Sequence, residues 1–304
     1  MAPIDQIATA TTAANRCINC GGTAIASNQC TACGYLPTRI EGFDAYAPEL
    51  ASGDEGFDAS YHHSLATMEA GNFWFRARNH LILTALRRHA PDMRNMLEIG
   101  CGTGYVLAAI QRAYPNASLV GSELFVEGLR HAAERVPGAS FIQMDARRIP
   151  YQGCFDVIGA FDVIEHVQQD EAVLREACNA LSDGGLMLIT VPQHRWLWSE
   201  QDRLAHHVRR YSRQELIGKV EAAGFRVIRA TSFMTALLPL MLLSRRRGNT
   251  AHAGQDPFRE FRIPGWVNAI FYAVMRTEVA LVNAGVPLPI GGSLLLIARK
   301  GSSP

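Results

Sequence analysis

One short run constrains this chain more than any other. At Met96–Leu107, MLEIGCGTGYVL, a strand-like apolar stretch ends in three alternating glycines and passes straight into a helical pattern. Gly100, Gly102 and Gly104 let the chain turn sharply and bring its backbone close to a ligand. A Gly-x-Gly-x-Gly loop is a weak signal alone, and its surroundings strengthen it. Glu98 lies within the strand end. Glu123 ends the next strand-like run, where a carboxylate can accept both hydroxyls of a ribose. Asp145 follows a third run, Phe141–Met144, where a carboxylate can accept from an exocyclic adenine amine.

The pattern around the loop alternates. Helices are predicted at 105–113, 125–136 and 170–181, and strands at 96–99, 118–122, 140–144, 155–161 and 186–191. Such alternation predicts an α/β fold with a parallel sheet and helices on both faces. Ser212-x-x-Glu215 is a capping box that opens a further helix. Strand-like runs follow at Phe225–Ala230 and Ser293–Ala298, with a non-alternating helical insert, 233–290, before the last one. A chain of 304 residues, 48% apolar, suffices for one such domain and a small appendage. Its net charge of +1 gives no global case for nucleic acid.

The appendage is read from the cysteines. Cys17-x2-Cys20 and Cys30-x2-Cys33 form two knuckles separated by nine residues. Two residues between thiolates allow a tight turn to place both sulfurs on one ion, and four thiolates complete the closed shell of a structural zinc site. The expected organisation is a disordered Ala/Thr-rich stretch 1–16, a zinc ribbon 17–38, irregular chain and N-terminal helices 39–92, and the main domain 93–304. Residues 39–72 are read as irregular.

At Glu98–Gly104 the run EIGCGTG resembles the first motif of class I S-adenosylmethionine-dependent methyltransferases. Phe155–Val167, FDVIGAFDVIEHV, resembles their fourth strand, in the manner of ubiquinone-pathway methyltransferases. The resemblance covers roughly Asn95 to Val191 and implies their Rossmann-like sheet. It also implies that the glycine loop holds the methionyl part of the cofactor and that Glu123 binds the ribose, where the family more often has Asp. Asp145 and Ala146 would border the adenine, and Phe161 the methionyl end through its backbone. A divalent cation at Asp162, Glu165 and His166 is a further implication of that resemblance.

The acceptor is less legible. Glu165 and His166 are read either as cap and packing groups or, for His166, as a general base. After the fifth strand, Val191–Ser212 is dense in His, Arg and Trp, and His206 or His207 is an alternative base. Arg209 or Arg210 suits an acidic acceptor. The resemblance implies that Trp74 and Arg78 form part of a lid over the cofactor, the alternative being simple packing of Trp74 and Phe75. The expected acceptor is an oxygen or nitrogen atom of a small or lipid-linked molecule. Two rivals are an RNA methyltransferase gripping nucleic acid through its zinc module, and a non-catalytic binding protein. The near-neutral ribbon argues against the first, and the intact loop and both carboxylates argue against the second.

Within the insert, Phe233–Leu243 runs into Arg245–Arg247, and Ile263–Val282 is interrupted by Arg276 and Glu278. Neither stretch suits a bilayer span. Apolar residues beside arginines and a Trp suit peripheral membrane contact through 233–282, and equally a buried lid or a subunit interface. The oligomeric state stays open. The expected setting is cytoplasmic, with peripheral contact at the inner membrane surface left open.

Overall fold

The computed structural model describes residues 15–52, 59–247 and 261–301. The first knuckles carry a small hairpin, β1 (Ile25–Ala26) with β2 (Gln29–Cys30), and a second follows, β3 (Thr38–Ile40) with β4 (Phe43–Ala45). Helices α1 (Ala59–Met68) and α2 (Phe73–His89) lead into the alternating part. There β5 (Asn95–Ile99), α3 (Tyr105–Ala113), β6 (Ser118–Glu123), α4 (Val126–Arg135) and β7 (Ser140–Gln143) form one half. The other half has β8 (Phe155–Phe161), α5 (Asp170–Ala180), β9 (Leu181–Pro192), α6 (Glu200–Leu204), α7 (Arg213–Ala222) and β10 (Phe225–Phe233). Helices α8 (Leu238–Arg247) and α9 (Gly265–Asn283) precede the last strand, β11 (Ser293–Lys300).

Nine strands make one sheet in the order β10-β11-β9-β8-β5-β6-β7-β4-β3. Strand β5 sits where the order reverses, paired in parallel with β6 on one side and β8 on the other. A switch point of this kind opens a crevice beyond the carboxyl ends of the strands, because the two flanking crossovers leave in opposite directions. The period-two alternation of β5 serves both faces. Leu97 and Ile99 join the core beneath α5 and α7, while Met96 joins the core beneath α2, α3 and α9.

Two expectations change. The sheet is mixed, since β11 inserts between β9 and β10 and runs antiparallel to both. Residues 39–72 are not wholly irregular: β4 pairs in parallel with β7 and extends the sheet toward the N-terminus. Strands of three residues leave no periodicity to read. Residues 1–14 lie outside the described residues, and Asn15 and Arg16, read as the end of a disordered stretch, are held in place. The backbone amides of both donate to the Pro150 carbonyl, and Arg16 pairs with Glu176 at 2.8 Å.

Helix α9 is bound to the domain along one side. Met275, Val279 and Val282 are buried with α2 residues such as Phe73 and Leu86. Asn268 accepts from the Phe73 amide at 2.7 Å and donates to the Gly71 carbonyl at 2.8 Å. Buried Glu278 accepts from the Thr235 and Ala236 amides, each at 2.9 Å, tying α9 to the turn after β10. No described helix is long and apolar enough to cross a membrane.

Candidate functional site

A cavity of about 780 Å³ opens over the carboxyl ends of β5, β6 and β8. Its floor is the glycine loop. Gly100 and Gly102 line it with φ of 65° and 51°, the left-handed region that favours glycine. Gly104 does not line the cavity. It turns the chain into α3 at φ 72°, and a Cβ there would stand 2.9 Å from the Ala132 Cα, so α4 packs directly on it. The third glycine of this loop is therefore a packing glycine.

Glu123 closes the floor. One carboxylate oxygen accepts from the Gly102 amide at 3.0 Å, and the other from the Leu124 amide at 2.7 Å. The side chain thus locks the loop after β5 to the end of β6 while still lining the cavity. Glu98, Asp145, Ala146 and Phe161 also line it. Asp145 accepts from the backbone amide and the guanidinium of Arg147, both at 2.9 Å. Burial pushes the Glu98 carboxyl up to about 8, and one of its oxygens has no hydrogen-bond partner.

Residues without a motif complete this half. Glu69, just past α1, receives the Thr103 hydroxyl at 2.7 Å and pairs with Arg135 of α4 at 2.7 Å. That buried network fastens the end of α1 to the loop. No local pattern signals it, because its members come from three separate elements.

The other half of the cavity holds the histidines. Asp162 leaves β8 at φ 57° and pairs with Arg78, whose guanidinium lies 4.5 Å from the centre of the Trp74 ring. Thr190 also donates to Asp162, at 3.1 Å. His166 and His207 meet edge to face with ring centres 4.8 Å apart. The His207 Nδ1 lies 2.9 Å from an Asp202 carboxylate oxygen that also receives the Arg210 Nε at 2.7 Å. Asp202 is fully buried and caps α6 through the Ser199 amide at 2.8 Å. His206, left-handed at φ 54°, lines the cavity beside His207. Burial, with His207 beside it, pulls the His166 imidazole down to about 3, so it is neutral at physiological pH. Glu165 is fully buried without a hydrogen-bond partner for either oxygen, and burial raises its carboxyl well above the usual range, the Asp162 charge adding to the effect.

The ligand atoms of Glu165, His166 and His207 lie within 4.8 Å of one another and can hold a metal ion. Asp162 stands outside that group, its carboxylate engaged by Arg78 and Thr190. The four N-terminal cysteines form the second such group among the described residues. Sulfur pairs Cys17–Cys33 and Cys20–Cys30 are each 3.6 Å apart. Four thiolates about 2.3 Å from one zinc ion would sit roughly 3.8 Å apart at the corners of a tetrahedron, so the residues fit zinc.

The chain belongs to the methyltransferase domain family, whose model matches residues 68–230, more than half of its length. A Mycobacterium tuberculosis protein named "Probable S-adenosylmethionine-dependent methyltransferase" is 25% identical over 170 residues, covering 53% of this chain and 59% of that protein. The trans-aconitate 2-methyltransferase of Rhodopseudomonas palustris is 32% identical over 104 residues, 34% of this chain and 40% of that one. The chain thus spans 59% and 40% of the lengths of these two curated relatives. Among solved structures, phosphoethanolamine N-methyltransferase 2 of Haemonchus contortus with S-adenosyl-L-methionine superposes with a TM-score of 0.55 at 18% identity, covering 82% of this chain and 59% of that one. The cyclase SpnF superposes with a TM-score of 0.52 at 18% identity, covering 76% and 84%. The sheet is therefore the Rossmann-like sheet of methyltransferases. A fold shared with a cyclase leaves the reaction to be argued from the site.

Proposed function

We propose that this chain binds S-adenosylmethionine and transfers its methyl group to an oxygen or nitrogen atom of an acceptor held beside His207. The observation that carries the reading is the Glu123 carboxylate closed on the Gly102 amide, beneath a cavity that also contains a histidine oriented by a buried aspartate. Glu98, Gly100, Gly102, Glu123, Asp145, Ala146 and Phe161 form the cofactor half, and Gly104 supports them from behind. Bound there, the cofactor supplies an electrophilic methyl on a sulfonium and departs as a neutral thioether.

The protein's own task is alignment and proton removal. Asp202 accepts the His207 Nδ1 proton, which leaves the Nε2 lone pair to take the proton of the acceptor as the new bond to carbon forms. Arg210 pairs with the same Asp202 oxygen, and the carboxylate in turn stabilises the imidazolium. His166, neutral, contributes shape beside it. A cation on Glu165, His166 and His207 would occupy the same lone pair and is a competing use of these side chains. Within this reading residues 17–38 are a structural zinc module, 93–304 the catalytic domain, and the acceptor a small or lipid-linked molecule. Transfer of labelled methyl groups from the cofactor into fractionated cell extract tests it: wild type labels an acceptor fraction and His207→Ala does not.

A further inference from the structure

The helices between β10 and β11 leave a second face unexplained. Helix α9 buries Met275, Glu278, Val279 and Val282 against the domain, yet its opposite side shows Trp266, Ile270 and Leu281 at 70%, 52% and 45% exposure. Helix α8 adds exposed Leu240 and Leu243. Between 233 and 290 there are six arginines against three carboxylates, and one of those carboxylates, Glu278, is buried. Arg276 is exposed on α9, and Arg245–Arg247 follow Leu243 in the sequence.

Leu240 joins the exposed side of α8 to the cavity. Leu237, just before α8, and Leu240 and Met241 of α8 line it together with Ile263 and Phe271, so an apolar wall runs from the carboxyl ends of the strands to half-exposed Leu240. Ser244 is the one polar side chain that the described part of α8 adds to this lining, and its hydroxyl donates to the Met241 carbonyl, so the wall suits a hydrocarbon chain better than a polar acceptor. A helix face with Trp and aliphatic side chains and exposed Arg276, in a stretch of sequence rich in arginine, suits the boundary of an anionic bilayer, where the indole sits at headgroup level and arginine meets phosphate.

We infer that α8 and α9 dock on an anionic phospholipid surface and admit the hydrocarbon chain of an amphiphilic acceptor between them, its reactive headgroup reaching His207. The acceptor half of the inference rests on the function proposed above; the docking half does not.

Vesicle sedimentation with the full chain tests it. Wild type should sediment with phosphatidylcholine vesicles that contain phosphatidylglycerol and stay in solution with phosphatidylcholine alone. Trp266→Asp/Ile270→Asp, which alters neither the cavity wall nor the buried side of α9, should lose at least about tenfold in vesicle affinity. Its affinity for S-adenosylmethionine by calorimetry should be unchanged. Transferred label should extract into organic solvent. Wild type that ignores anionic vesicles, or a double variant that binds them equally, overturns docking. A wild-type dimer that the double variant dissociates assigns the face to a second copy and also overturns it. Label confined to water-soluble acceptors overturns the acceptor half. Failure of wild type to bind S-adenosylmethionine defeats the proposed function and leaves the vesicle result to stand by itself.

Discussion

Replacing Asp202 by Asn separates a working catalytic base from a merely packed histidine. The aspartate has two tasks with distinct atoms: one oxygen meets His207 Nδ1 and Arg210 Nε, and the other accepts from the Ser199 amide and hydroxyl. Asparagine can satisfy one set only. With its amide nitrogen toward His207 and Arg210, it opposes an arginine donor and forces the imidazole to carry its proton on Nε2, where it cannot act as a base. With the nitrogen toward Ser199 the tautomer survives, but the α6 cap is lost at about 1 kcal/mol and no charge remains to stabilise the imidazolium. General bases contribute roughly a hundredfold to ten-thousandfold. Asp202→Asn should therefore lower kcat by about a hundredfold, or about 2.7 kcal/mol in activation free energy. KM for S-adenosylmethionine should move less than about threefold, because the cofactor half keeps its contacts. The assay is label transfer to the fraction that wild type methylates. A variant within threefold of wild-type kcat, with unchanged KM, refutes the assignment of His207.

Other perturbations address separate parts of the site. Glu123→Gln removes one acceptor oxygen that the proposed site shares between the loop and the cofactor, and should weaken S-adenosylmethionine binding by about 2 to 3 kcal/mol, roughly thirty- to a hundred-and-fifty-fold, in calorimetry. Glu98 holds its proton more tightly folded, at about 8, than unfolded, near 4.5. The native state then binds more protons between those values, so this group makes stability fall as pH rises from 4.5 to 8 and level off above. Glu98→Gln should accordingly gain Tm relative to wild type at pH 9 and little at pH 5, read by thermal melts across that range. Zinc near one per chain, lost in Cys30→Ser/Cys33→Ser with a lower Tm, is expected from elemental analysis. Chelation by EDTA, after which the ribbon's zinc content is checked, should leave methyl transfer intact; loss restored by a divalent cation would reassign Glu165, His166 and His207 as metal ligands.

How much was legible in the sequence follows from how local each feature is. The alternation from Asn95 to Val191 was readable because each strand and helix carries its own period, and the Ser212–Glu215 cap forms as its spacing predicts. The three-residue strands β3 and β4 were not readable, since pairing, of β4 with β7 and of β3 with β4, and not propensity makes them strands. Neither was the division of labour between His206 and His207. Adjacent residues share every sequence context, and only the left-handed turn at His206 and the buried Asp202 of α6 tell them apart. Glu69, Thr103 and Arg135 escaped for the same reason: their network exists only once α1, the glycine loop and α4 have come together.

The account stands or falls on the crevice where β5 ends. Calorimetry with S-adenosylmethionine should show one site per chain in the wild type. Gly102→Arg should abolish it, since Gly102 lines the cavity at φ 51° and gives its amide to Glu123. Wild type that takes up no heat-detectable S-adenosylmethionine, or Gly102→Arg that binds it as well as wild type, would contradict the cofactor site and the function built on it.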